Sequence, residues 1–229
     1  MADFFSDRNP MVRALTRICD IAILSFIWVI ASLPIVTIGA STTALYYTTV
    51  KVFRRGKGYI FTEFKRSFVE NCKQGIVMWL LLLFLFVLCF GNAYLSFYWI
   101  SAAIGVGLGK TLTGIYLGIA LVLYGALIYI FPVLSRFILG KWALFRMALL
   151  LSLKHVGQSV LLILITTAAI IGEIYSFFYM PVLVFLIPGA ACLLFSYVME
   201  PVLQRYMPED AWLDDTRTRE EIAVEQEEA

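Results

Sequence analysis

Ten consecutive apolar residues, Trp79-Leu-Leu-Leu-Leu-Phe-Leu-Phe-Val-Leu88, lie at the centre of a stretch, 75–98, that carries no charged side chain. A run of that length and hydrophobicity is long enough to cross the ~30 Å hydrocarbon core of a bilayer as a helix. It is not alone. Residues 18–36, 112–135, 156–178 and 182–203 are also almost wholly apolar. Hydrophobic residues make up 61% of the 229 positions and charged ones only 15%, against roughly 25% charged in a soluble domain. A chain this size cannot hide so much apolar surface from water, so the bilayer must cover it. The fold expected is all-α, a polytopic membrane helix bundle.

How many helices cross turns on residues 37–53. They hold no charge before Lys51 but include several Thr and a Ser. Ser and Thr hydroxyls bond to their own helix backbone, so such a segment can enter a membrane. Seventeen residues rise only about 25 Å, short of a full crossing. The basic residues favour counting it. With six transmembrane helices and both termini cytoplasmic, 17 of the 18 Lys and Arg fall on one side and only Lys110 on the other. With five helices the division is 14 to 4, and the positive-inside bias prefers the first. A re-entrant first hairpin over 18–53 has the same flanks on the same side and stays open. In the six-helix reading Pro34 to Gly39 form the outer turn.

Two basic segments separate the spans. The first, 54–73, carries Arg54, Arg55, Lys65, Arg66 and Lys73, with Phe61, Phe64 and Phe68 on one helical face. The second, 136–155, carries Arg136, Lys141, Arg146 and Lys154 among Trp142, Phe145 and Leu149. Each reads as an amphipathic cytoplasmic linker helix at the membrane surface, its cations against anionic lipid headgroups or a partner protein. A shift of 81 residues superposes them: Arg55 falls on Arg136, Phe64 on Phe145, Lys65 on Arg146 and Lys73 on Lys154. The shift makes 37–98 and 118–178 a weak internal repeat within one membrane domain, 1–205, followed by an acidic cytoplasmic tail, 206–229. Residues 1–17 read as a short surface segment. The N-terminus has no cleavage site behind a short apolar core, so the first span is expected to act as the targeting signal.

Few residues offer chemistry. Charges inside spans are costly and tend to be functional. Glu173 lies in Ile-Ile-Gly-Glu-Ile-Tyr with no Lys or Arg near it in sequence; it reads as an interface or hydrogen-bonded carboxylate, or as part of a substrate or ion path with Asp20 and Asn92. Asp20 is expected to pair with Arg17 or another interfacial arginine, Glu200 with Arg205 or a linker arginine, and Asn92 to bond to another helix. Gly114-x-x-x-Gly118 matches a helix-packing pattern. The single histidine, His155, and four scattered cysteines give neither a zinc site nor a redox pair. No phosphate-binding glycine loop or nucleophile elbow is present. No catalytic residues, cofactor, metal or nucleic-acid partner are expected.

The first third carries a resemblance. Asn9-Pro10, Asp20, Trp28 and Ser32-Leu-Pro-Ile-Val-Thr-Ile-Gly-Ala-Ser-Thr-Thr-Ala-Leu-Tyr-Tyr47, with Phe64-Lys-Arg-Ser-Phe68 and Asn71-x-Lys73, resemble the YesL-like family of bacterial integral membrane proteins. That family's function is uncharacterised, and its members are often encoded beside carbohydrate ABC-transporter components. The resemblance implies a multi-pass protein of the bacterial cell membrane and an accessory or scaffolding role in carbohydrate uptake, with ABC-transporter subunits or further copies of the chain as partners. A small oligomeric transporter or channel is the alternative.

Overall fold

The computed structural model describes residues 10–103 and 105–207. Of the expected surface segment 1–17, residues 1–9 lie outside the described residues, as does the acidic tail from Pro208, while residues 10–17 are the opening turns of the first helix and no separate segment. Every regular element is helical: α1 (Pro10–Ser32), α2 (Ile38–Thr48), α3 (Ile60–Leu95), the single turn α4 (Ser101–Ala103), α5 (Val106–Arg136), α6 (Lys141–Lys154), α7 (Val156–Tyr179) and α8 (Ile187–Gln204). Five helical stretches are long and apolar enough to cross a membrane: Leu15–Ser32, Ile60–Ala103, Val106–Arg136, Val156–Tyr179 and Ile187–Gln204. The chain is an all-α polytopic membrane helix bundle, as its hydropathy requires.

α2 is the axis of the bundle. It continues as π-helical turns over Thr49–Arg54 and packs against α1, α3, α5 and α8. Gly39, Ala40, Ser41, Thr43, Ala44, Leu45, Tyr46 and Thr48 are all buried. A helix enclosed on every side needs small residues more than apolar ones, which is why Ser32–Tyr47 is so poor in large side chains. A Cβ added at Gly39 would sit 2.5 Å from the Gly75 carbonyl and 2.7 Å from Trp79 Cβ, and one at Gly75 would sit 2.9 Å from the Ala40 backbone. The α2 and α3 backbones thus touch where only glycine fits. Several of the hydroxyls are satisfied locally: Thr43 Oγ1 donates to Gly39 O, and Ser32 and Ser41 share a 2.6 Å bond, whereas Thr48 Oγ1 is buried without a hydrogen-bond partner among the described residues. By contrast, Gly114 and Gly118 have no atom within 4 Å of a Cβ position, so their spacing serves no close helix contact within the described chain.

Several local expectations change. The turn between α1 and α2 covers Leu33–Thr37, while Gly39 is inside the helix and buried. The first basic linker is no separate surface helix. Gly56 and Gly58, at φ 66° and 81°, reverse the chain, and α3 then runs unbroken from Ile60 through the apolar stretch to Leu95. Gly75, the residue most able to interrupt it, is held by Ala40 instead. In the second half the break is retained, at His155 with φ −111° and ψ 52°. Pro188 occupies the first turn of α8, where its missing N–H costs nothing.

The hairpin of α1 and α2 reaches only part of the way along α3. Trp79 Nε1 donates to Ile35 O at 2.8 Å, and Trp79 and Gly39 both meet Phe131 of α5. From Trp79 to Leu95, α3 rises a further ~24 Å, flanked there by α5, with Thr113 bonded to Ala93 O. The core accordingly gathers at the end where the basic linkers lie. Tyr46, Met78, Leu82, Tyr129, Leu134, Leu144, Met199 and Leu203 form one cluster, and Leu24, Ala44, Leu45 and Phe64 a second.

Candidate functional site

The most concentrated charge in the described chain is a buried ion network at the basic end of the bundle. Glu200 on α8 is 2% exposed. Its carboxylate accepts from Tyr46 Oη at 2.8 Å and Arg136 Nη2 at 3.3 Å, and Arg55 Nη2 lies 3.5 Å away. One turn along, Lys51 meets Glu63 at 3.0 Å, both below 10% exposed, and donates to Tyr47 Oη at 3.2 Å. Arg54 donates to Ser196 O at 2.7 Å and stacks on Tyr197. The Arg136 guanidinium faces the Tyr47 ring at 5.9 Å.

Local sequence explains the assembly. The π-helical turns over Thr49–Arg54 bring Lys51, Arg54 and Arg55 to the end of α2 that faces α8 and the first turn of α3. Insertions of this kind re-aim side chains that a regular helix would spread around its circumference. Glu63 stands in the first turn of α3, where the helix dipole favours a carboxylate. Arg136 ends α5. Four elements, α2, α3, α5 and α8, are thereby tied by charge at one place. A buried pair that has lost its water must be hydrogen-bonded to persist, and Glu200 is.

The residues singled out from sequence divide into three groups. Arg54 and Arg55, expected at the membrane surface or on a partner, are drawn into the bundle by Ser196 and Glu200. Their place next to the close-packed α2 axis leaves α8 as the nearest acceptor. Lys65, Lys73, Lys141, Arg146 and Lys154 do face outward. Arg66 pairs with Glu70 on its own helix at 3.0 Å, and Lys154 lies over the Tyr206 ring at 5.2 Å. The third group, Asp20, Asn92 and Glu173, does not converge. Asn92 is exposed and its amide donates to Leu88 O, four residues back, so the expected interhelical bond is not made. Asp20 is half-buried on α1 and forms no ion pair with Arg17 among the described residues. Glu173, half-buried on α7, keeps Oε2 buried with no hydrogen-bond partner.

Lys51, Glu63 and Tyr46 escaped the sequence reading. The signal was present, since Lys51 is the first charge after a long neutral stretch and Glu63 lies twelve residues beyond it. Only the chain reversal at Gly56 and Gly58 makes them neighbours. His155, expected near the interface, shares a 3.1 Å bond with Tyr206 Oη.

Residues 21–93 match the family described as Protein of unknown function, DUF624. The match covers about a third of the chain, from α1 through the axial helix α2 and most of α3, and includes Tyr46, Lys51, Arg54, Arg55 and Glu63. YesL-like proteins carry this domain. No curated protein and no solved structure matches the chain.

Proposed function

We propose that the chain is a YesL-like protein without catalytic activity of its own, an accessory or scaffolding component of an ABC-type carbohydrate importer in a bacterial cell membrane. On this proposal both termini lie in the cytoplasm, as the positive-inside bias of the Lys and Arg residues favours. The observation that carries this reading is Glu173. A carboxylate within an apolar helix is costly unless it is protonated or finds a donor. Its Oε2 finds none among the described residues, and the surface around it, Ile174, Tyr175, Phe177 and Phe178, is exposed. A neighbouring transmembrane helix with a polar or basic side chain satisfies both conditions. The buried network supports the same view, because its charges are spent on each other and hold the helices together. The uptake context is what the resemblance of Ser32–Tyr47 to YesL-like proteins implies; the DUF624 match, to a family of unknown function, is compatible with that resemblance.

The test is isolation of the tagged full chain, expressed at native level, in mild detergent. Permease and ATPase subunits of a sugar importer should co-purify, and Glu173→Leu should reduce their recovery several-fold. Recovery of the chain alone, in repeated preparations, overturns the proposal. The same carboxylate gives a second reading its footing, a small oligomeric transporter with Glu173 on the path. That reading requires uptake or conductance in proteoliposomes containing only this chain, abolished by Glu173→Gln.

A further inference from the structure

Two shallow grooves open on the outward faces of the basic helical segments. One, of about 500 Å³, is formed by Ala143, Arg146, Met147, Leu150 and Lys154 of α6 with Tyr206. The other, of about 480 Å³, is formed by Phe61, Thr62, Lys65, Arg66, Val69 and Glu70 of α3. They occupy equivalent positions. Adding 81 to Thr62, Lys65, Arg66 and Val69 gives Ala143, Arg146, Met147 and Leu150. Each groove therefore combines a cation with an exposed aliphatic side chain one turn further on. The helical starts differ by the same offset, Ile60 and Lys141.

The two are not equal in charge. Arg146 and Lys154 line the α6 groove without any acidic residue among the described residues. In the α3 groove Glu70 stands where α6 has Leu151, and it neutralises Arg66 at 3.0 Å. The floor of the α6 groove is aliphatic, and Trp142, 77% exposed, stands at the start of the helix. Lys154 lies against Tyr206, whose hydroxyl is held by His155. Immediately beyond His155 begins α7, one of the five helices suited to crossing the membrane. The groove thus ends where a span starts, the level at which headgroups meet acyl chains. Cations, an exposed Trp and an apolar floor at that level are what an anionic lipid requires. The volume, about 500 Å³, suits a headgroup and its first methylenes.

We propose that the α6 groove binds one anionic phospholipid, its phosphodiester between Arg146 and Lys154 and its chain over Met147 and Leu150, and that the α3 groove is a weaker copy. The inference needs only that the chain lies in a bilayer and is independent of any importer. Native mass spectrometry of the purified full chain, with phosphatidylglycerol or phosphatidylcholine of equal chain length added, tests it. The wild type should retain phosphatidylglycerol about tenfold more than phosphatidylcholine, and millimolar inorganic phosphate should not displace it. Arg146→Gln with Lys154→Gln should abolish the preference, while Lys65→Gln should leave most of it. Leu150→Asp, at an exposed position and so compatible with folding, should abolish it too. Equal retention of the two lipids by the wild type overturns the proposal, as does a preference that survives both the double variant and Leu150→Asp.

Discussion

Glu200→Gln is the sharpest perturbation of the structure. The amide is close to isosteric and its oxygen can still accept from Tyr46 Oη, so the change removes charge with little change in shape. What it leaves behind is Arg136 at 3.3 Å and Arg55 at 3.5 Å, facing a site that is 2% exposed. At an effective dielectric constant of ~20, each of these contacts is worth about 5 kcal/mol of Coulomb attraction. Most of that is offset by the cost of having taken the charges out of water. Removing one partner leaves the other buried with its desolvation cost uncompensated, and the net loss for a buried pair is about 3–5 kcal/mol. On the scale of chains of this length, that is a fall of roughly 6–20 °C in Tm. The assay is the fraction of monodisperse protein surviving a temperature ramp in detergent. Arg136→Gln alone should be comparably damaging, and the double variant should be less damaged than the two losses summed, with a coupling of about 1 kcal/mol or more. High salt should change little, because the pair is buried. A Tm within about 1 °C of wild type for Glu200→Gln, or strict additivity in the double variant, would refute the view that this network holds α2, α5 and α8 together.

Three further outcomes follow from the geometry. Gly39→Ala should destabilise by about 1–3 kcal/mol despite its better helix propensity, because the new methyl meets the Gly75 carbonyl at 2.5 Å, whereas Gly114→Ala should be neutral or stabilising by up to about 1 kcal/mol; thermal ramps of the two variants read the difference. Arg66→Ala, which breaks a pair that is 28% exposed on both sides, should cost about 0.5 kcal/mol or less and lose even that at high salt. A cysteine introduced at Leu33, 73% exposed in the α1–α2 turn, should be shielded from an impermeant maleimide applied on the side opposite the basic linkers, because the turn meets Trp79 and α3 continues beyond it; strong labelling from that side would instead restore a complete crossing by α2. Gly39 itself is unsuited to that scan, being buried in the helix pair.

What the sequence made legible and what it hid have a common physical cause. Hydropathy reports how a segment meets its solvent, so the long lipid-facing spans were plain: α3 and α7 show an exposed apolar side over most of their length, and α5 over 106–122. α2 meets little solvent, only Ile38, Thr42 and Tyr47 being partly exposed. Its surroundings are other helices, and the property that fits it there is side-chain volume, to which a hydropathy count is blind. Its Gly, Ala, Ser and Thr therefore looked like a diluted span when they are the closest-packed surface in the bundle. The same distinction separates the cations. Lys65 and Arg146 lie on helix faces with nothing packed over them, and an amphipathic reading places them correctly. Lys51, Arg54 and Arg55 sit on turns whose π-helical winding breaks the 3.6-residue period, so no periodicity argument could tell that they point inward. Glu200 was recognisable as needing a cation, but the choice of Arg136 and Arg55 over the nearer Arg205 depends on how α8 crosses α2. A charge next to a small-residue helix in a membrane chain is thus better read as a clamp between helices than as a surface anchor, since close backbone contact brings acceptors from several helices within reach of one side chain.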